Sequence, residues 1–120
     1  MVKNYYDRQV CSAEEALRTQ PMILYNLSSA LGLDGRYDEC IAVCDEALSL
    51  ARRTYRYVDY EKILYNRAWA MLRRDHAGDR EQAQLSLKQA YRFAYSVDNA
   101  KMIEILQAFY KKNFSEEVLV

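Results

Sequence analysis

A chain of 120 residues with 17 Lys plus Arg against 17 Asp plus Glu carries no formal charge, which excludes nucleic-acid binding through bulk charge and suits a single domain. Only 3 Gly and 1 Pro occur, too few breakers for a sheet protein with many tight turns. Hydrophobic residues at 51% and charged residues at 28% supply a core and exclude disorder, so the expectation is an all-α domain over residues 1–114 with a C-terminal tail at 115–120.

The apolar spacing predicts helices near 3–19, 21–34, 36–53, 58–74, 79–96 and 99–113. In the first, Lys3, Asp7, Arg8, Glu14, Glu15 and Arg18 interrupt any signal-peptide core, and no run in the chain nears the roughly 18 apolar residues of a membrane helix. Pro21 fits the first position of the second helix, whose core stripe is Leu24, Leu27 and Leu31. Gly35 marks the next turn, and Cys40, Val43, Cys44, Ala47 and Leu48 form the stripe of the third helix. The fourth has Leu64, Ala68, Met71 and Leu72 at helical spacing; after Gly78 the fifth opens on Asp79 and Gln82, the pattern of a capping box. Asp59 and Asp98 stand where the fourth and sixth helices begin, and the sixth is amphipathic through Met102, Ile103, Ile105, Leu106, Phe109 and Tyr110. The pairs Arg52-Arg53, Arg73-Arg74 and Lys111-Lys112 fall in last turns, where cations meet the negative end of the helix dipole.

The chain is self-similar. Tyr6-Asp7 with Glu15-Ala16-Leu17 returns as Tyr37-Asp38 with Glu46-Ala47-Leu48, and Ile23-Leu24-Tyr25-Asn26 returns as Ile63-Leu64-Tyr65-Asn66. Gly35, Cys40, Cys44 and Ala47 share their spacing with Gly78, Ala83, Leu87 and Ala90. Repeats of this size, each too small to bury its own apolar faces, imply antiparallel helix pairs stacked side by side.

Two of these segments resemble the tetratricopeptide repeat family. Leu24-Tyr25-Asn26-Leu27-Ser28-Ser29-Ala30 is similar to its first-helix motif, and Gly35-Arg36-Tyr37-Asp38-Glu39-Cys40 running on to Ala47-Leu48 is similar to its second. Arg67 departs from the pattern by standing where the family has Leu, and extra residues lengthen the turn at Asp75-His76-Ala77. The resemblance implies a short right-handed superhelix of about six helices whose function is to bind a peptide or protein. The Ile-Leu-Tyr-Asn-Leu and Leu-Gly-Leu-Asp-Gly-Arg-Tyr-Asp-Glu-Cys runs are further similar to the C-terminal repeat region of Xre-type helix-turn-helix regulators of Gram-positive bacteria. That likeness implies the sensing and dimerising part of a bacterial transcription regulator, a homodimer that reaches DNA only through a domain absent from this chain. A structural self-association scaffold is the alternative.

Chemistry-bearing patterns are sparse. Cys40 and Cys44 lie one turn apart, but a tetrahedral site needs two more ligands, the only His is His76 in a turn and Cys11 has no partner at suitable spacing, so packing explains them better than a metal. Three cysteines in helix-like stretches suit free thiols in a reducing, cytoplasmic setting. There is no phosphate loop, metalloprotease helix or nucleophile elbow, and the adjacent pairs Glu14-Glu15, Asp45-Glu46 and Glu116-Glu117 diverge on a helix, so no catalytic residue, metal or cofactor is expected.

The face of the first helices opposite their core stripe carries the candidate site. With Leu64, Ala68 and Met71 turned to the core, the opposite stripe is Lys62, Tyr65, Asn66, Trp69 and Arg73; one repeat earlier it is Met22, Tyr25, Asn26, Ser29 and Leu33. Asn offers a donor and an acceptor to an extended backbone, and Tyr and Trp offer flat apolar area with a polar tip. Tyr25, Asn26, Ser29, Lys62, Tyr65, Asn66, Trp69 and Arg73 are therefore the expected peptide-binding residues. The family's carboxylate clamp needs Lys and Asn where Tyr25 and Ser29 stand, so that subtype is set aside.

Overall fold

The computed structural model describes residues 12–114. They form five helices: α1 (Ser12–Leu33), α2 (Tyr37–Thr54), α3 (Tyr60–Arg74), α4 (Asp79–Ser96) and α5 (Ala100–Phe114). The expected ends of the last four differ from these by no more than two residues. The break expected at Pro21 does not occur: α1 runs through it from Ser12, so the two helices expected at 3–19 and 21–34 join where both are described. Proline at an interior position gives up one hydrogen bond to the preceding turn, a cost that tertiary contacts outweigh here, for Pro21 is buried. The expected beginning at residues 3–11, with Tyr5, Tyr6, Val10 and Cys11, and the 115–120 tail lie outside the described residues.

Each helix packs on its successor across a short turn, and α3 also packs on α1 and on α5. The backbones of α2 and α4 stay apart. Helices α1, α3 and α5 thus form one layer and α2 and α4 the other, and the layer whose members touch is the concave one.

The turns explain why the ends are sharp. Gly35 (φ 79°) closes α1 in the left-handed region, with the Arg36 N–H donating to the Leu31 carbonyl at 2.9 Å. Tyr55 (φ 55°) and Asp98 (φ 59°) do the same for α2 and α4 without glycine, through Arg56 N–H to the Ala51 carbonyl and Asn99 N–H to the Ala94 carbonyl.

The expected caps are replaced by other arrangements. Asp79 makes no capping box; its carboxylate turns back to accept from Arg74 Nε and Nη2 at 2.9 and 2.7 Å and from the His76 N–H at 2.9 Å. A bidentate guanidinium is a stronger partner than the neutral amide a cap would use. Asp59 makes no side-chain cap either and pairs with Lys62 at 3.3 Å. The cap of α5 is Asn99, not Asp98: its Oδ1 accepts from the Met102 N–H at 3.2 Å, while its Nδ2 donates to buried Glu61 at 2.8 Å.

The core runs between the layers. Leu24 and Leu31 are buried as expected, but Leu27 is 43% exposed and Ser28 takes its place on the inner face. Cys40, Cys44, Ala47 and Leu48 are buried on α2, and Leu64, Ala68 and Met71 on α3. Arg67, at the family's Leu position, reaches between α2 and α4, donating to Asp45 at 2.6 Å and to the buried Ser86 hydroxyl at 2.7 Å. Of the crowded tyrosines, Tyr57 and Tyr60 pack with Phe93, at centroid distances of 5.9 and 5.2 Å, and Tyr55 stands exposed.

Cys40 and Cys44 are free and fully enclosed. The hydrogen bond between the two thiols and then burial push the Cys44 thiol far above its ordinary range, which makes it inert. Changing both to Ala should cost about 1 to 3 kcal/mol by chemical denaturation, through lost volume.

The fork from Arg74 lowers the Asp79 carboxyl from 3.8 to about 2. Because the folded value is the lower one, this pairing stabilises the fold fully above pH 3.8 and loses that contribution as the pH falls toward 2. Melting temperature followed from pH 6 down to about pH 2 should therefore fall less steeply in Asp79→Asn than in the wild type, from a lower starting value.

Candidate functional site

Close approach of α1 to α3 shapes the concave layer. Asn66 on α3 uses both amide hydrogens on α1, donating to Ser28 Oγ at 3.1 Å and Ser29 Oγ at 2.9 Å; Ser28 in turn donates to the Tyr25 carbonyl at 2.7 Å. The Asn66 carbonyl oxygen has no partner among the described residues and remains an acceptor.

One turn on, the Trp69 ring lies against Gly32. A Cβ there would stand 3.0 Å from Trp69 Cζ3 and 3.5 Å from Cys40 Sγ. Tyr37 meets the indole edge-on at a centroid distance of 5.9 Å, and the Arg73 guanidinium carbon sits 4.9 Å from its centre. The indole is held on several sides yet keeps exposed surface.

These contacts leave two depressions with Trp69 as their common wall. Between α1 and α3 a cavity of about 290 Å³ is lined by Ser29, Gly32, Leu33, Tyr65, Asn66 and Trp69, with Ser28 and Cys40 at its base. Between α3 and α5 a second of about 260 Å³ is lined by Trp69, Leu72, Arg73, Phe109, Lys112 and Asn113. Tyr65 packs on Phe109 at 5.0 Å, so it belongs to both inter-helix contacts, and burial pushes its phenol above the ordinary range. It remains a neutral hydroxyl at physiological pH.

Of the eight expected binding residues, Ser29, Tyr65, Asn66 and Trp69 converge on the first cavity and Arg73 on the second. Tyr25, Asn26 and Lys62 line neither cavity. Tyr25 is half-buried against the core, Asn26 is exposed, and Lys62 is paired with Asp59. Sequence reasoning missed Gly32, Cys40, Phe109, Lys112 and Asn113. Gly32 carries the signal that would have found it, since a helix-interior glycine marks close approach. Among the described residues no three His, Cys, Asp or Glu side chains gather at one point, and no helix is long and apolar enough to cross a membrane.

A family model for the tetratricopeptide repeat matches residues 19–96, which span α2, α3, α4 and the part of α1 that lines the cavity. No curated protein and no solved structure matches the chain.

The fit of Gly32 to the indole generates a test. Gly32→Val should destabilise the fold by about 1 to 3 kcal/mol in denaturant titrations, since the ring it strikes is braced by Tyr37 and Arg73 and the added side chain also meets Cys40.

Proposed function

This chain belongs to the tetratricopeptide repeat family of helical protein-interaction modules, and we propose that it binds a linear peptide or protein segment along the concave layer of α1, α3 and α5. The observation that carries the reading is the cavity beside Trp69, lined both by a braced indole and by Asn66, whose Oδ1 has no partner among the described residues. An apolar side chain of the ligand covers the indole, and a ligand N–H donates to Asn66 Oδ1. The remaining features belong to holding the wall in place: both Asn66 hydrogens are spent between helices on the two serine oxygens, and the Ser28 hydroxyl donates back into its own helix.

On the likeness of its repeat motifs to Xre-type regulators, the chain is the sensing and dimerising region of a bacterial transcription regulator, cytoplasmic and non-enzymatic, with DNA contacted by another domain. Self-association is a second reading, favoured by one observation. Met22, Ile23 and Leu27 leave α1 with exposed apolar area at the start of the described array.

Calorimetry with peptides selected from a random linear library on the wild-type chain tests the peptide reading. Trp69→Ala should weaken binding by about 2 kcal/mol, roughly thirtyfold. Asn66→Ala should weaken it roughly threefold to tenfold, as expected for one neutral hydrogen bond, and should also lower the melting temperature because Ser28 and Ser29 lose their donor. Recovery of no Trp69-dependent peptide, together with a dimer unaffected by peptide in sedimentation, would leave the scaffold reading in its place.

A further inference from the structure

The two cavities flanking Trp69 differ in chemistry. The α1–α3 cavity is largely apolar at its wall and rim, through Gly32, Leu33, Tyr65 and the indole. The α3–α5 cavity presents two cations, Arg73 and Lys112, beside Phe109. Three arginines lie on α3, and two are held by carboxylates: Arg67 by Asp45, and Arg74 by Asp38 and Asp79. Among the described residues Arg73 has no carboxylate partner and stacks on the indole face, and Lys112 across the cavity has no ion-pair partner either.

Both cations sit at helix C-termini, where the dipole welcomes them, but that accounts equally for Arg53 or Lys111 and not for two of them converging on one hollow. Two like charges facing a common space repel, and a carboxylate between them removes the repulsion and gains a charge-assisted bond from each.

Accepting the peptide reading, on which this rests, we propose that the ligand is an acidic-apolar segment: an aliphatic side chain in the α1–α3 cavity, and an Asp or Glu two or three residues later between Arg73 and Lys112, with the backbone crossing Trp69. The spacing follows from the layer. Successive inter-helix grooves lie roughly 8 to 10 Å apart, which two to three extended residues at about 3.3 Å each cover once the reach of the acidic side chain is added.

The test selects capped random octapeptides, at low salt, on the full chain and on three variants of it: Arg73→Gln with Lys112→Gln, Trp69→Ala, and Glu116→Gln with Glu117→Gln. The wild type should enrich Leu, Ile, Val or Met followed two or three positions on by Asp or Glu. Exchanging that acid for its amide should weaken a selected peptide roughly threefold to tenfold, the effect of one partly exposed ion pair, and less at high salt. The Arg73 and Lys112 variant, altered only at exposed side chains, should keep the aliphatic preference and lose the acidic one. Peptides that depend on Trp69 but show no acidic preference would overturn this proposal and leave the peptide reading standing; absence of any Trp69-dependent peptide would overturn both. Acidic peptides that bind only after Glu116 and Glu117 are neutralised would identify the chain's own tail as the occupant and overturn a partner in trans.

Discussion

The structure depends on how closely its helices approach, and side-chain size at the crossings sets that distance. Ala47, Ala51, Ala68, Ala70, Ala83, Ala90 and Ala94 are wholly inaccessible, so the axes meet over methyl groups. Ser28 and Gly32 do the same on α1 toward α3. Larger residues would hold the layers apart, and Asn66 could not then reach two serines. The cavity beside Trp69 exists because the floor is small while the wall is not: thiol, glycine and hydroxyl lie below, and an indole stands above. Shape here is a product of close packing at a few positions.

Charge is organised by the same geometry. Arg67 crosses the gap between α2 and α4, where the backbones do not touch, and ties them through Asp45 and Ser86. Arg74 joins the end of α3 to the starts of α2 and α4 through Asp38 and Asp79. These two work in the gap between α2 and α4 and at the turns, where they join elements whose backbones do not touch. Glu61 and Asn99 perform a similar service between α3 and α5, where a buried carboxylate is satisfied by an amide that also caps a helix.

The fold was legible because apolar periodicity and repeat spacing are properties of many residues at once. Helix ends from Gly35 onward agree closely with expectation, as no single misjudged position can move them. What failed was local. A capping box was expected at Asp79, yet a guanidinium four residues of turn away competes for the same oxygens, and the sequence order of Arg74 and Asp79 does not reveal the geometry. Pro21 was expected to start a helix because interior proline is costly, a rule that tertiary burial overrides. At the site, Tyr65, Asn66 and Trp69 were legible from the stripe opposite the core, whereas Phe109 and Lys112 were not. The motif fades in α5, and without a register to align, its inward residues cannot be told from its outward ones. Tyr25 and Asn26 repeat Tyr65 and Asn66 in sequence but not in surroundings, since α1 has α3 on one side only within the described array.

The indole wedged against Gly32 is also the only tryptophan in the chain. Its fluorescence therefore comes entirely from the wall shared by the two hollows, beneath the Arg73 guanidinium and in the same cavity as the Cys40 thiol, a group that quenches indole emission. Anything that settles on that wall changes the solvent around the emitting dipole, and anything that prises α3 from α2 changes its distance from the Cys40 sulfur. The molecule carries its own optical probe on the wall between the two cavities, with the Tyr37 and Tyr65 phenols near enough to feed it energy.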